Sequence, residues 1–302
     1  MVTDAARPSA ARYAYEGAAL LAALTWSLAG VWIKWLPGVS LLGIVSARLA
    51  LALPAIGLVV ALGAGRPTAE LRTAAPWGLG AILVLYYAVA VAAFRLGAVA
   101  EVTLLLNTSP LFVALASPAL GMKVRATEWL GIGLALVGLA LVLVPAFTGA
   151  APASSDAAAG GWTGVALGLA AAALMGLYSV LYARAGRGGA APDARAVTLA
   201  ALWIGAAGAV AWAFTDEPAA LFASTSRVGA LVGLSIVSTA IPTLGYSLAS
   251  RELTPVLATS IRLLTPVFGA AFAVLLLGEP TTPWLWGGGA VVLLGLALIV
   301  RR

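Results

Sequence analysis

The sequence contains no cysteine and no histidine, and these two absences remove much of protein chemistry. Disulfides, thiolate nucleophiles, imidazole bases and the usual zinc ligand sets are excluded together. Charge is scarce too, with 9% charged residues against 62% hydrophobic, where a soluble domain carries about 25% charged. Such a chain is an integral membrane protein, with the lipid bilayer as its first partner. The formal charge of +6 does not imply a nucleic-acid partner, because the seventeen Lys and Arg are scattered between apolar runs and form no stripe. Eleven acidic residues, mostly single and between the apolar runs, offer no metal cluster, and no Gly-Lys-Ser/Thr loop for ATP is present. No cofactor and no metal are expected.

What the chain does have is a succession of apolar runs. A span needs about 20 apolar residues, and charges, prolines and glycine-rich breaks bound ten of them, roughly 17–36, 39–63, 74–95, 97–120, 127–146, 161–184, 194–214, 226–249, 254–277 and 283–301. The stretch before the first is short and polar, with Arg7 and Arg12, and the run that follows is too long for a signal-peptide core; it reads as an uncleaved span. The one long connection is rich in Ala, Ser and Gly. It divides the chain into a first five-helix repeat over 1–147 with a short cytoplasmic tail, an external linker over 148–160 and a second repeat over 161–302.

With the N-terminus placed inside, Lys34, Arg95 and Arg227 fall outside, Arg48 and Arg262 fall within spans, and the remaining twelve basic residues lie inside. That bias predicts both termini in the cytoplasm. The halves repeat: Arg95, Pro110 and Phe112 align with Arg251, Pro266 and Phe268, and after a one-residue shift Trp129, Gly131 and Gly138 align with Trp286, Gly288 and Gly295. Five spans is an odd number, so the second copy enters the membrane upside down. The expected fold is all-α, with ten transmembrane helices as two inverted five-helix repeats around a central cavity.

The repeated element with the most to say runs from Glu101 to Leu120. It is apolar enough to cross a bilayer yet carries Asn107, Thr108, Ser109 and Pro110 at its middle. Polar groups at that depth line a cavity or a path, and two copies of a broken, polar-centred helix mark a transporter.

On these residues the chain resembles the drug/metabolite transporter superfamily, and within it the ten-span EamA type. The resemblance rests on Trp26, Arg48, Pro110 and Gly131/Gly138 in the first half, and on Pro266, Leu277-Gly278-Glu279 and Gly288/Gly295 in the second. It departs at Leu120-Gly121-Met122-Lys123, where an acidic residue is usual, and the second half has no clear counterpart of Trp26 or Arg48. The resemblance implies export of small metabolites across a bacterial inner membrane, amino-acid exporters (aromatic ones included) being prominent members.

The candidate substrate-binding residues are Trp26, Arg48, Tyr86, Tyr87, Asn107, Tyr246 and Arg262. An unpaired guanidinium within the bilayer costs at least about 2.5–3.5 kcal/mol, so Arg262 and Arg48 each face an anion or lock helices through carbonyls or acids. The planar fork of an Arg suits a substrate carboxylate. Asn107 can both donate and accept, and either lines the cavity or bonds a neighbouring helix. The four aromatics either form a wall for an apolar side chain or pack. Pro54, Pro110, Pro242 and Pro266 are hinge or kink candidates. Glu101 is the one acid clearly inside a span, and it either couples protons or sits favourably at the positive end of its helix. Trp35, Trp77, Trp129, Trp162, Trp212, Trp284 and Trp286 read as interface anchors, and Gly164/Gly168 and Gly229/Gly233 as close-packing positions.

The function expected is secondary transport of a small molecule by alternating access, by a chain that suffices as a monomer. Nucleotide-sugar or sugar-phosphate carriage is the alternative that the Arg pair favours. A membrane-embedded enzyme would need clustered acids, His or Cys.

Overall fold

The structure, a computed structural model, describes residues 10–62, 67–116, 125–148, 157–187, 192–215, 217–252 and 261–300. Among these, all regular structure is helical, as it must be in an open-ended chain crossing lipid, where each backbone donor needs an acceptor in its own segment. In order the helices are α1 (Ala10–Ser27), α2 (Ala29–Lys34), α3 (Leu41–Leu62), α4 (Pro67–Glu70), α5 (Ala74–Leu96), α6 (Val99–Leu106), α7 (Ser109–Ala116), α8 (Ala126–Thr148), α9 (Ala157–Arg187), α10 (Ala194–Ala213), α11 (Glu217–Phe222) and α12 (Thr225–Val232). A π-helical segment (Gly233–Ala240) then leads to α13 (Ile241–Glu252), α14 (Thr265–Leu277) and α15 (Pro283–Val300).

Eight helical stretches among the described residues are long and apolar enough to cross a membrane, and Thr265–Leu277 and Pro283–Ile299 are shorter apolar helices at the places expected for the ninth and tenth spans. The expected start of the ninth span (254–260), most of the 148–160 linker and the Leu120-to-Lys123 departure lie outside the described residues.

Packing between the halves follows the repeat. Among the principal pairs are α3 with α10, α8 with α15, α6 with α14, α1 with α13 and α5 with α9, and α5 also packs on α10. Exchanging the halves maps the α3–α10 and α8–α15 pairs onto themselves and the α1–α13 and α5–α9 pairs onto each other, as a pseudo-twofold axis requires. The crossings are antiparallel. Glu217, just past the end of α10, accepts from the Ser40 amide before α3 (2.9 Å), while Glu70, past the end of α3, accepts from the Asp193 amide before α10 (2.6 Å). Antiparallel pairing of equivalent spans is what an inverted repeat produces.

The aligned glycines let α8 and α15 cross backbone against backbone. A Cβ on Gly138 would stand 2.5 Å from the Val292 amide nitrogen and 2.7 Å from the Gly288 carbonyl oxygen; one on Gly295 would meet the Ala135 nitrogen at 2.5 Å. Backbone approaches backbone there, which only glycine permits. Gly164, Gly168 and Gly233 also pack tightly, against Gly97, Leu105 and Trp32, but Gly229 faces open space and is not a packing glycine.

One further expectation is corrected. Trp212 is no interface anchor: it is 5% exposed and its indole donates to Glu217 at 2.8 Å, whereas the other six tryptophans in that group are substantially exposed. Pro54 lies inside α3, which passes through it as one helix. A break does appear where none was expected, at Leu28 between α1 and α2.

Candidate functional site

Prolines build the site. Pro110 has no N–H for the Leu106 carbonyl, and Pro266 none for the Arg262 carbonyl. In each case the regular helical hydrogen bonding is interrupted for the two residues preceding the new helix, Asn107-Thr108 before α7 and Leu263-Leu264 before α14, although Asn107 and Leu264 keep right-handed backbone angles. The same break thus occurs at equivalent points of both repeats, and it turns Leu106, Asn107, Arg262 and Thr265 toward a common cavity.

That cavity is a partly open cleft with about 750 Å3 of empty space, the solvent at its mouth included. Six of the seven expected binding residues line it: Trp26, Arg48, Tyr86, Tyr87, Asn107 and Arg262. Tyr246 does not reach the wall. It backs Trp26 from behind, ring centroids 5.5 Å apart. Sequence reasoning missed Thr265, although its place one residue before Pro266 matches that of Ser109 before Pro110. It also missed Phe94, Thr103 and Met175, whose apolar or self-bonded character carries no signal in a chain this hydrophobic.

The two arginines differ in what holds them. Arg48 is 4% exposed and largely engaged: its Nε donates to Thr239 Oγ1 at 2.6 Å, its Nη2 to the Ser238 carbonyl at 3.0 Å, and its guanidinium lies 4.5 Å from the Tyr87 ring centre. Ser238 lies in the π-helical segment just before Pro242, which itself has no N–H to donate. The Ser238 hydroxyl donates to the Thr25 carbonyl at 2.6 Å, tying the π-helical segment to the end of α1. This network ties the halves together and accounts for a buried cation with no acid beside it.

Arg262 has no such acceptor. Its guanidinium lies 6.0 Å from the Trp26 ring centre, and among the described residues it makes no hydrogen bond or ion pair. Among the described residues, no carboxylate lines the cavity. Asn107 donates its Nδ2 to the Thr103 carbonyl at 2.8 Å, which leaves its Oδ1 as an open acceptor. Thr108 is 1% exposed and bonds the Leu105 carbonyl within its own helix at 2.6 Å.

Glu101 stands apart from the cavity wall, in the first turn of α6, and makes no hydrogen bond or ion pair among the described residues. The capping at this end belongs to Glu279. Gly278, at φ +65°, ends α14 in the left-handed conformation; the Glu279 amide closes back on the Ala273 carbonyl at 3.1 Å. This aims the Glu279 carboxylate at the Val99 amide, 2.8 and 3.0 Å away. The Leu277-Gly278-Glu279 run is therefore a helix stop whose last residue caps the partner helix of the other half.

Comparison with known proteins agrees with this architecture. The model of the EamA-like transporter family matches twice, over residues 15–144 and 162–301. A solved crystal structure superposes with a TM-score of 0.63 over 95% of this chain and 96% of that one, at 22% identity, a likeness of fold. No curated protein matches the chain.

Proposed function

Because the chain belongs to the EamA-like transporter family, we propose that it is a secondary transporter that exports amino acids or similar small carboxylates across a bacterial inner membrane. Alternating access of the cavity between the halves would carry the substrate, with both termini cytoplasmic and residues 148–160 an external linker. The observation that carries the reading is Arg262, a guanidinium without a hydrogen-bond acceptor among the described residues, in a cavity whose wall includes Trp26, Tyr86, Tyr87 and Phe94. Such a wall accepts an apolar or aromatic side chain, and the guanidinium a carboxylate.

Sugar-phosphate or nucleotide-sugar carriage is the second reading, favoured by the presence of two arginines in one cavity. It is weakened by the bonds that occupy Arg48, since one open guanidinium matches a monoanion better than a phosphate dianion.

Counterflow of labelled amino acids into proteoliposomes, comparing wild type with Arg262→Ala, tests the proposal. Saturable uptake by wild type, reduced more than tenfold in the variant, is expected for a lost charged hydrogen bond of roughly 1.5–3 kcal/mol. Absence of any amino-acid movement by wild type would refute it, and uptake of sugar phosphates instead would establish the second reading.

A further inference from the structure

The two broken helices present opposite electrical ends to the same cavity. α6 and α14 run antiparallel, with Glu279 beyond the end of α14 capping the start of α6, and they cross where a Cβ on Gly269 would stand 2.7 Å from Thr103 Cγ2. Asn107 lies four residues beyond Thr103 and Thr265 four residues before Gly269, so each is about 6 Å along its helix from the crossing, toward the same level. The carboxyl end of α6 and the amino end of α14 therefore stand side by side at the cavity.

Their side chains match those ends. At the amino end of α14, no side chain caps the helix. Thr265, which lines the cavity, is 6% exposed and its Oγ1 has no hydrogen-bond partner among the described residues, and Arg262 lies one turn before it. A buried hydroxyl without a partner costs about 1–3 kcal/mol, a penalty relieved by a ligand that accepts from it. At the carboxyl end of α6, Asn107 Oδ1 is an acceptor, and the Leu106 carbonyl receives no proton from Pro110. One pole offers donors and positive charge, the other carbonyl acceptors at the negative end of a helix.

We propose that the cavity reads a zwitterionic α-amino acid at these two poles: its carboxylate at Thr265, Arg262 and the amino end of α14, its ammonium at Asn107 and the carboxyl end of α6. This rests on the amino-acid transport reading above. The inverted repeat places one structural device, the proline-broken helix, on both sides of the substrate, and the sequence difference between the copies gives the poles opposite sign.

The test uses the full chain in proteoliposomes, with the best-transported labelled amino acid and, as inhibitors, its deaminated acid, its decarboxylated amine and inorganic phosphate. Thr265→Val should raise KM roughly tenfold and weaken inhibition by the deaminated acid while sparing the amine, with Thr265→Ser restoring both. Asn107→Leu should do the reverse, weakening amino acid and amine while sparing the deaminated acid. Variants are compared after matching for monodispersity and thermal midpoint, and a variant that fails this match is replaced by Thr265→Ala or Asn107→Ala. Equal effects on all inhibitors, or none, with active wild type would overturn the two-pole assignment and leave the transport reading intact. Phosphate inhibiting more strongly than the deaminated acid would overturn the carboxylate assignment. A wild type that moves no amino acid would overturn both.

Discussion

Substituting Gly138 by alanine should separate the halves where α8 meets α15. The added methyl would lie 2.5 Å from the Val292 nitrogen and 2.7 Å from the Gly288 oxygen, against the 3.4 Å or more of ordinary contact, so the axes must part by most of an ångström. Both opposing atoms are backbone, and neither can rotate away. Overpacking of this kind costs about 1–3 kcal/mol, and the loss of neighbouring close contacts along the crossing puts Gly138→Ala toward the upper end. Gly133→Ala supplies the control on the same helix: a Cβ there meets nothing within 4 Å, and replacing an exposed helical glycine gains up to about 1 kcal/mol. The assay is the thermal unfolding midpoint of purified protein in detergent, which should fall for Gly138→Ala and hold or rise for Gly133→Ala. Gly288→Ala should resemble Gly138→Ala, and the double variant should lose less than the sum because both open the same crossing. Equal shifts for Gly138→Ala and Gly133→Ala would refute the reasoning.

Arg48→Ala should remove the bonds donated to the Ser238 carbonyl and to Thr239 Oγ1, whose hydroxyl still donates to the Leu234 carbonyl, lowering stability by about 1–3 kcal/mol. Transport of all substrates should fall together, and a selective loss of anionic substrates would show Arg48 to be a binding residue instead. Glu101→Gln should leave transport unchanged across an imposed pH gradient, because Glu101 is off the cavity wall; loss of gradient dependence in the variant would make it the coupling residue. Hydrogen bonds from Ser40 and from the Trp212 indole hold the Glu217 carboxyl below its ordinary value of 4.5. A lowered folded-state pKa contributes stability above the unfolded value and loses it as pH falls through the folded one. The thermal midpoint of wild type should therefore drop below pH 4.5 by a margin that Glu217→Gln reduces; identical acid limbs would contradict this.

Much of the architecture was written locally. Run length and composition specify helices that must satisfy their own backbones in lipid, and the odd number of spans per repeat dictates inversion. The prolines, which remove a donor wherever they occur, mark the breaks at 107–108 and 263–264, and the aligned glycines mark the α8–α15 crossing. Six of the seven candidate binding residues reach the cavity for the same reason: polar and aromatic groups at mid-depth have few other places to go.

Tertiary structure decided which donor meets which acceptor. Arg48 and Arg262 look alike in sequence, yet Thr239, 191 positions away, engages one and leaves the other open. Glu279, 180 positions from Val99, caps α6 where Glu101 stands nearest in the chain. Trp212 is drawn inward by Glu217, and Thr265 is stranded at the cavity wall without a partner. A hydrogen bond depends on atoms meeting within about 3 Å, and the chain brings these atoms together only when one half closes on the other. Composition and periodicity describe a helix and its environment, not the side chain it will face.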